Sequence, residues 1–227
     1  MYIDPLYIIL VVPTLILSLV AQVLVKSTFS KYSHVQSSKH ITGRDAAALL
    51  MQVNKIGDVK IEGVRGSLTD HYDPSAKVLR LSEPVYDQTS IAAIGVAAHE
   101  TGHAIQHAVS YGPLKLRSAL VPVANIGSSF GPWLAILGLI LSFPVLFDLG
   151  IILFSAAVLF YVVTLPVEFN ASSRAIQILR SNNVLTEEEL GGVKKVLTAA
   201  ALTYVASALT AIANLVRFIL LRGSRRR

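Results

Sequence analysis

Cysteine is missing from all 227 residues of this chain. Its absence excludes a disulfide framework, a thiolate metal site and a thiol redox centre, and it leaves the compartment open. Charge is scarce too. Only 15% of residues are Asp, Glu, Lys or Arg, against about a quarter in a soluble domain, while 53% are hydrophobic. A chain so poor in charge is not built to face water on all sides, and the composition points to lipid. Acids are the scarcer sign: 14 Asp and Glu stand against 20 Lys and Arg, a formal net charge of +6. Part of the excess lies in Arg222 and in Arg225-Arg226-Arg227, a tail suited to anionic headgroups. No fold for base or backbone recognition accompanies it, so nucleic acid is not an expected partner.

Four apolar stretches are present: Leu6 to Val25, Ala119 to Phe147, Leu149 to Val167 and Leu197 to Leu221. Each reaches the ~20 residues that a helix needs to cross ~30 Å of hydrocarbon. Met1-Tyr2-Ile3-Asp4 lacks Lys or Arg, and the run after it is longer than the core of a secretory signal, so the first stretch reads as an uncleaved anchor. Lys26, Lys31 and Lys39 follow it, which puts the N-terminus outside and residue 26 onward in the cytoplasm. The second stretch, interrupted by Pro122, Pro132 and Pro144, and the third read as a helical hairpin turning at Phe147-Asp148-Leu149-Gly150. Such a hairpin returns residue 168 to the side of residue 118. Gly127 and Gly131 have the spacing of closely packed membrane helices. The fourth stretch raises a conflict. If it crosses, Arg222 to Arg227 end up outside, against the positive-inside rule; either the tail is an exception or this stretch does not span.

The polar segments carry their own signals. Thr42 and Asp45 form a shortened capping box ahead of a packing helix over Ala46 to Val53. Val59, Ile61 and Val64, then the alternating Lys77 to Ser82, predict two or three short strands around the turn-rich Thr69 to Ser75. A helix is expected from Thr89-Ser90 to about Ser110, and another behind Thr186 with Glu189 completing its capping box. Glu187, Glu188 and Glu189 read as a solvated first turn.

The chemistry centres on His99-Glu100-Thr101-Gly102-His103, which reads HExxH. On a helix, residues four apart share a face, so two imidazoles there can hold one zinc ion. Glu100 then sits beside the metal, placed to act as general base towards water. The flanking residues are small, apolar and free of Pro, as a buried helix needs. The plain alternative is a helix with two incidental histidines. Zinc in a catalytic site takes a third protein ligand and keeps its fourth place open. His107 shares the face, but His99 and His107 lie ~12 Å apart along one helix, too far for bonds of about 2.0–2.1 Å. The metzincin pattern also fails, because Gln106 and Val109 stand at its Gly and third His. His107 is therefore expected to support or pack beside the site. Glu168 ends the third apolar stretch, where an acid is costly unless paired. Arg174, six residues on, lies off its face, which makes Glu168 the candidate third ligand. Donors to a developing oxyanion are left open among His71, Tyr72, Arg174 and Tyr204. A strand edge beside the helix offers a place for an extended peptide.

With these residues in hand, the chain resembles the YugP-type family, described as neutral zinc metallopeptidases of bacterial membranes. The resemblance covers most of the chain and rests on Gly66 to Pro74, on Ser90 to Gln106 with its HETGHAIQ, and on Leu165-Pro166-Val167-Glu168-Phe169. The arrangement is also similar to HtpX and the CAAX prenyl proteases, gluzincins in which membrane helices separate HExxH from the glutamate ligand. That resemblance implies zinc on His99, His103 and Glu168, with Glu100 as general base. Gluzincins often carry Asp four residues after that glutamate; here Ser172 holds the position.

The expected fold is a mainly α membrane protein with a small β element, a zincin-type, gluzincin-like catalytic region and about four transmembrane helices. Its expected parts are an anchor (1–25), a cytoplasmic zincin region (26–118), a transmembrane hairpin (119–167), a glutamate-ligand region (168–196) and a membrane-associated helix with a basic tail (197–227). The expected function is a zinc endopeptidase acting on protein or peptide substrates near the surface of a bacterial inner membrane, with its site facing the cytoplasm. The alternative is a zinc-binding membrane adaptor that holds polypeptides without cleaving them.

Overall fold

A computed structural model describes residues 4–224. A π-helical turn, Tyr7–Val11, leads into α1 (Val12–Ser33). Then come α2 (Gly43–Val53), β1 (Lys60–Val64), β2 (His71–Asp73), β3 (Val78–Ser82), α3 (Glu83–Tyr86) and α4 (Ile91–Ala108). Three long helices follow: α5 (Gly112–Ile140), α6 (Pro144–Ser181) and α7 (Glu187–Ser224). Among the described residues, four helices are long and apolar enough to cross a membrane: Tyr7–Ser33, α5, α6 and α7. The fold is thus mainly helical, with one small sheet. The contacts divide it into two compact units, residues 1–22, 112–166 and 202–227 in one, residues 23–111 and 167–201 in the other.

The first unit is built on close helix approach. α5 and α6 form a hairpin, but its turn is at Leu141-Ser142-Phe143 and not at Phe147 to Gly150, which lie inside α6. Ser142 takes the left-handed conformation (φ 53°), and its N–H and that of Phe143 cap the carbonyls of Leu139 and Gly138. This is the cap that glycine usually supplies, here made by serine, and Pro144 then opens the next helix. Asp148-Leu149-Gly150 reads as a turn, yet Gly150 serves packing: a Cβ there would collide with the backbone of Ala135. Gly127, Gly131 and Gly138 are in the same position against Leu153, Phe154 and Phe147. An apolar cluster including Phe147, Phe154, Ala157 and Phe218 fills the space beyond. Arg217 pairs with Asp4 at 2.6 Å, and Arg222 with Asp148. Within this unit the N-terminal segment, the end of α6 next to the hairpin turn and the last turns of α7 are therefore tied together. α7 is continuous from Glu187 to Ser224, and its Arg217 and Arg222 are paired with acids.

The second unit surrounds α4. β3 lies between β1, which it pairs with in parallel (Lys60↔Val78 to Val64↔Ser82), and β2, which it pairs with antiparallel (His71↔Arg80 to Asp73↔Val78). Leu79, Leu81 and Val85 pack with Ala47, Ala93 and Ala97 on one flank of α4. Leu50, Ile94, Ala98, Leu179 and Val193 close another. Burial on several sides explains why α4 is Ala-rich and lacks a single apolar stripe. The cap of α2 forms as the spacing requires, with Thr42 Oγ accepting from Asp45 N–H and the Asp45 carboxylate from Thr42 N–H. The Thr186–Glu189 pair does the same at α7. Glu189, however, is not solvated. It is 9% exposed and also accepts from Ser38 N–H at 2.6 Å, joining α7 to the segment after α1.

Close approach in the hairpin has a measurable consequence. Gly138→Ala must push apart two helix backbones, an overpacking cost of about 1–3 kcal/mol. Gly112→Ala, where a Cβ meets nothing within 4 Å, should be neutral or slightly stabilising. Thermal unfolding of the two detergent-solubilised variants checks the contrast.

Candidate metal centre

Two elements, α4 and α6, bring the candidate ligands together. Ser90 caps α4, accepting from Ala93 N–H at 3.2 Å, and fixes where the helix begins. Two and three turns on, His99 and His103 project from one face, their rings 4.8 Å apart and edge to face. Glu168 enters from α6, where its side chain is 2% exposed. Its Oε2 lies 3.3 Å from His99 Nε2 and 3.5 Å from His103 Nε2. A tetrahedral zinc ion with bonds of about 2.0–2.1 Å requires neighbouring ligand atoms about 3.4 Å apart. The donor set, two imidazole nitrogens and one carboxylate, therefore fits zinc in both chemistry and spacing. Among the described residues this is the one group of three such side chains close enough to share an ion.

The approach of α6 to α4 rests on Gly102. A Cβ there would stand 2.6 Å from the carbonyl oxygen of Ala171, so the second variable position of HExxH has no room for a side chain.

Each imidazole is held through its other nitrogen. His99 Nδ1 lies 3.0 Å from Ser172 Oγ. His103 Nδ1 lies 3.1 Å from Gln106 Oε1. Gln106 is fully buried, and its Nε2 donates to Val167 O (2.8 Å) and Asn170 Oδ1 (3.0 Å). With both acceptors on that nitrogen, Oε1 must be the atom facing His103. His103 then carries its proton on Nδ1 and turns a lone pair on Nε2 towards Glu168. Arg174 Nε completes the chain with a 2.7 Å bond to Asn170 Oδ1. Burial works against a charged His103, but the Glu168 and Glu100 carboxylates outweigh it and raise the imidazole above its usual range.

Glu100 lies beside the trio. Its Oε2 accepts from the backbone N–H of Tyr72 on β2 at 3.1 Å. Desolvation pushes the Glu100 carboxyl up, as do the Glu168 and Asp70 carboxylates, while His99 and His103 oppose the rise.

The remaining candidates divide. Ser172 meets His99. His107 is exposed and bonds the Tyr72 hydroxyl at 2.7 Å, away from the trio. His71 is engaged with Thr69 O at 2.8 Å and with Arg80. Arg174 reaches Asn170 and stacks over Tyr111, 5.9 Å from the ring centre. Tyr204 belongs to the other compact unit. Sequence reasoning passed over Gln106, whose signal was a neutral polar residue one turn after His103 on the same face of the helix. It also missed the Tyr72 backbone, for which no side-chain signal exists.

The profile of the family described as "Putative neutral zinc metallopeptidase" matches residues 7–223. The chain belongs to that family. It is 53% identical over 216 residues to a Bacillus subtilis (strain 168) protein named "Putative membrane protease YugP", covering 95% of this chain and 96% of that one. No solved structure matches significantly. Family and helices together make the chain an integral membrane protein of a zinc peptidase family, with Zn2+ as its cofactor.

The buried amide makes a direct test. Gln106→Ala should weaken zinc binding by about 10–100-fold, the usual loss when the partner of a ligating histidine is removed. Competition against a chromogenic chelator reads the affinity; an unchanged value would mean that His103 is oriented by something else.

Proposed function

We propose that this chain is a membrane-embedded zinc endopeptidase that hydrolyses peptide bonds of protein substrates close to the membrane surface. The reading is carried by one observation: a Glu168 oxygen 3.3 Å from Nε2 of His99 and 3.5 Å from Nε2 of His103, all three ligand atoms within 4.8 Å of one another, with Glu100 between the two histidines in sequence. In this reading His99, His103 and Glu168 hold zinc, while Ser172 and Gln106 keep the imidazoles turned towards it. Bound there, zinc supplies a Lewis acid that polarises the scissile carbonyl and makes water a better nucleophile at neutral pH. Glu100 takes the proton as water adds to the carbonyl carbon, then hands it to the amine as the C–N bond breaks.

The sheet edge supports a place for the substrate strand. β2 pairs with β3 on one side only, and its other edge carries the Tyr72 N–H that points to Glu100. An extended peptide added to that edge runs beside the base, held by main-chain hydrogen bonds. His71 and Tyr72 lie on this strand, His107 bonds the Tyr72 hydroxyl and Arg174 ends the buried network, and an oxyanion donor is sought first among them.

The sides of the membrane follow from charge. Lys26, Lys31, Lys39, Lys115, Arg117, Arg174, Arg180, Lys194 and Lys195 all lie in the segments 26–118 and 168–196, which favours a cytoplasmic site at a bacterial inner membrane. The anchor (1–25), the hairpin (119–167) and the last helix (197–227) supply the spans in this arrangement.

Two experiments test these proposals. Glu100→Gln should keep stoichiometric zinc and lose peptide hydrolysis by several orders of magnitude, whereas Glu168→Gln should lose both zinc and activity. Metal analysis and casein hydrolysis on purified protein separate them; full activity in Glu100→Gln would end the base assignment. For sidedness, single cysteines at the exposed Gln52 and Ser181 are clean reporters in a chain without cysteine. Neither should react with an impermeant maleimide in intact cells, and both should react after lysis.

A further inference from the structure

A cavity of about 590 Å³ opens between α1 and α7, lined by none of the residues of the metal centre. Leu24, Thr28 and Lys31 line it from α1, one above another at helical spacing. Lys194, Lys195 and Thr198 line it from α7. The two helices touch at one end, where a Cβ on Gly192 would stand 2.9 Å from the Tyr32 ring. From that contact the groove runs towards Leu24. Both walls follow the same order along it, lysine, then hydroxyl, then the apolar stretches that end at Val25 and begin at Leu197. The groove therefore straddles the level at which each helix passes from water into hydrocarbon.

Its charge is of one sign. No carboxylate lines it, and α1 carries no acid from Val12 to Ser33. Two acids of the first turn of α7 are engaged elsewhere: Glu187 with Arg180 at 2.7 Å, and Glu189 with Ser38 and Thr186. Three exposed lysines thus face one amphipathic groove without a neutralising partner within it.

We propose that this groove binds an anionic glycerophospholipid from the surrounding bilayer. The phosphodiester sits among Lys31, Lys194 and Lys195, Thr28 and Thr198 donate to its ester oxygens, and the acyl chains leave past Leu24 into the hydrocarbon. The volume admits a headgroup and glycerol, so the chains must extend beyond it. An apolar wall next to the cations selects a lipid over free phosphate, which would gain nothing from it. This inference does not depend on the peptidase reading, and its test uses no activity.

The test is native mass spectrometry of the purified protein in neutral detergent, titrated with phosphatidylglycerol or phosphatidylcholine. One phosphatidylglycerol should be retained in preference to phosphatidylcholine. Each lysine near a charged lipid contributes about fivefold, so K31Q/K194Q/K195Q should weaken retention by about a hundredfold. K26Q/K60Q/K115Q removes the same charge elsewhere and should bind as wild type. Thr198→Trp fills the groove with the charge unchanged and should lose the adduct. Circular dichroism and zinc content establish that each variant is folded. Equal losses in the two triple variants would reduce the effect to diffuse attraction and overturn the site. Wild-type retention by Thr198→Trp would overturn it as well.

Discussion

One straight helix can offer two histidines to a metal but not a third group on the same ion, because successive turns climb 5.4 Å while the bonds are near 2 Å. The third group has to arrive from another helix, and Glu168 has a short carboxylate arm. The backbones of α4 and α6 must therefore nearly touch where the site is made. They do so at Gly102, whose missing side chain leaves the space taken by the Ala171 carbonyl. The position of Glu168, the 3.3 and 3.5 Å spacings and the burial of the site all depend on that contact.

Holding two helices that close leaves polar groups without water, and the chain answers with neutral partners. Ser172 and Gln106 meet the two imidazoles, and Gln106 extends through Asn170 to Arg174. A carboxylate in place of either would make the histidines more basic but add a buried negative charge beside Glu168 and Glu100. With two acids already present, hydroxyl and amide fix ring orientation without further repulsion. Gln106 also spans the interface, bonding a residue of its own helix and the carbonyl of Val167 next to Glu168. Orientation of one ligand and placement of another thus share a single side chain.

The membrane-crossing helices follow the same rule by different means. Gly127, Gly131, Gly138 and Gly150 let α5 and α6 pack backbone to backbone, since lipid offers no hydrophobic drive to hold them. Charges near the helix ends are paired, Asp4 with Arg217 and Asp148 with Arg222.

Much was legible from the residues in order. Apolar runs of about 20 residues, HExxH at helical spacing and the Thr42–Asp45 and Thr186–Glu189 caps are local patterns, set by the helix period, the bilayer thickness and side-chain reach. Glu168 stood out as an acid ending an apolar run. The hairpin turn did not, because left-handed Ser142 carries no glycine signal while Asp148-Leu149-Gly150 imitates one. The parallel pairing of β1 with β3, the burial of Glu189, the bond from Tyr72 N–H to Glu100 and the bridging role of Gln106 were decided by tertiary structure alone. Each joins groups that are distant in sequence or involves the backbone, and periodicity along one segment holds no information about what a second segment brings to it.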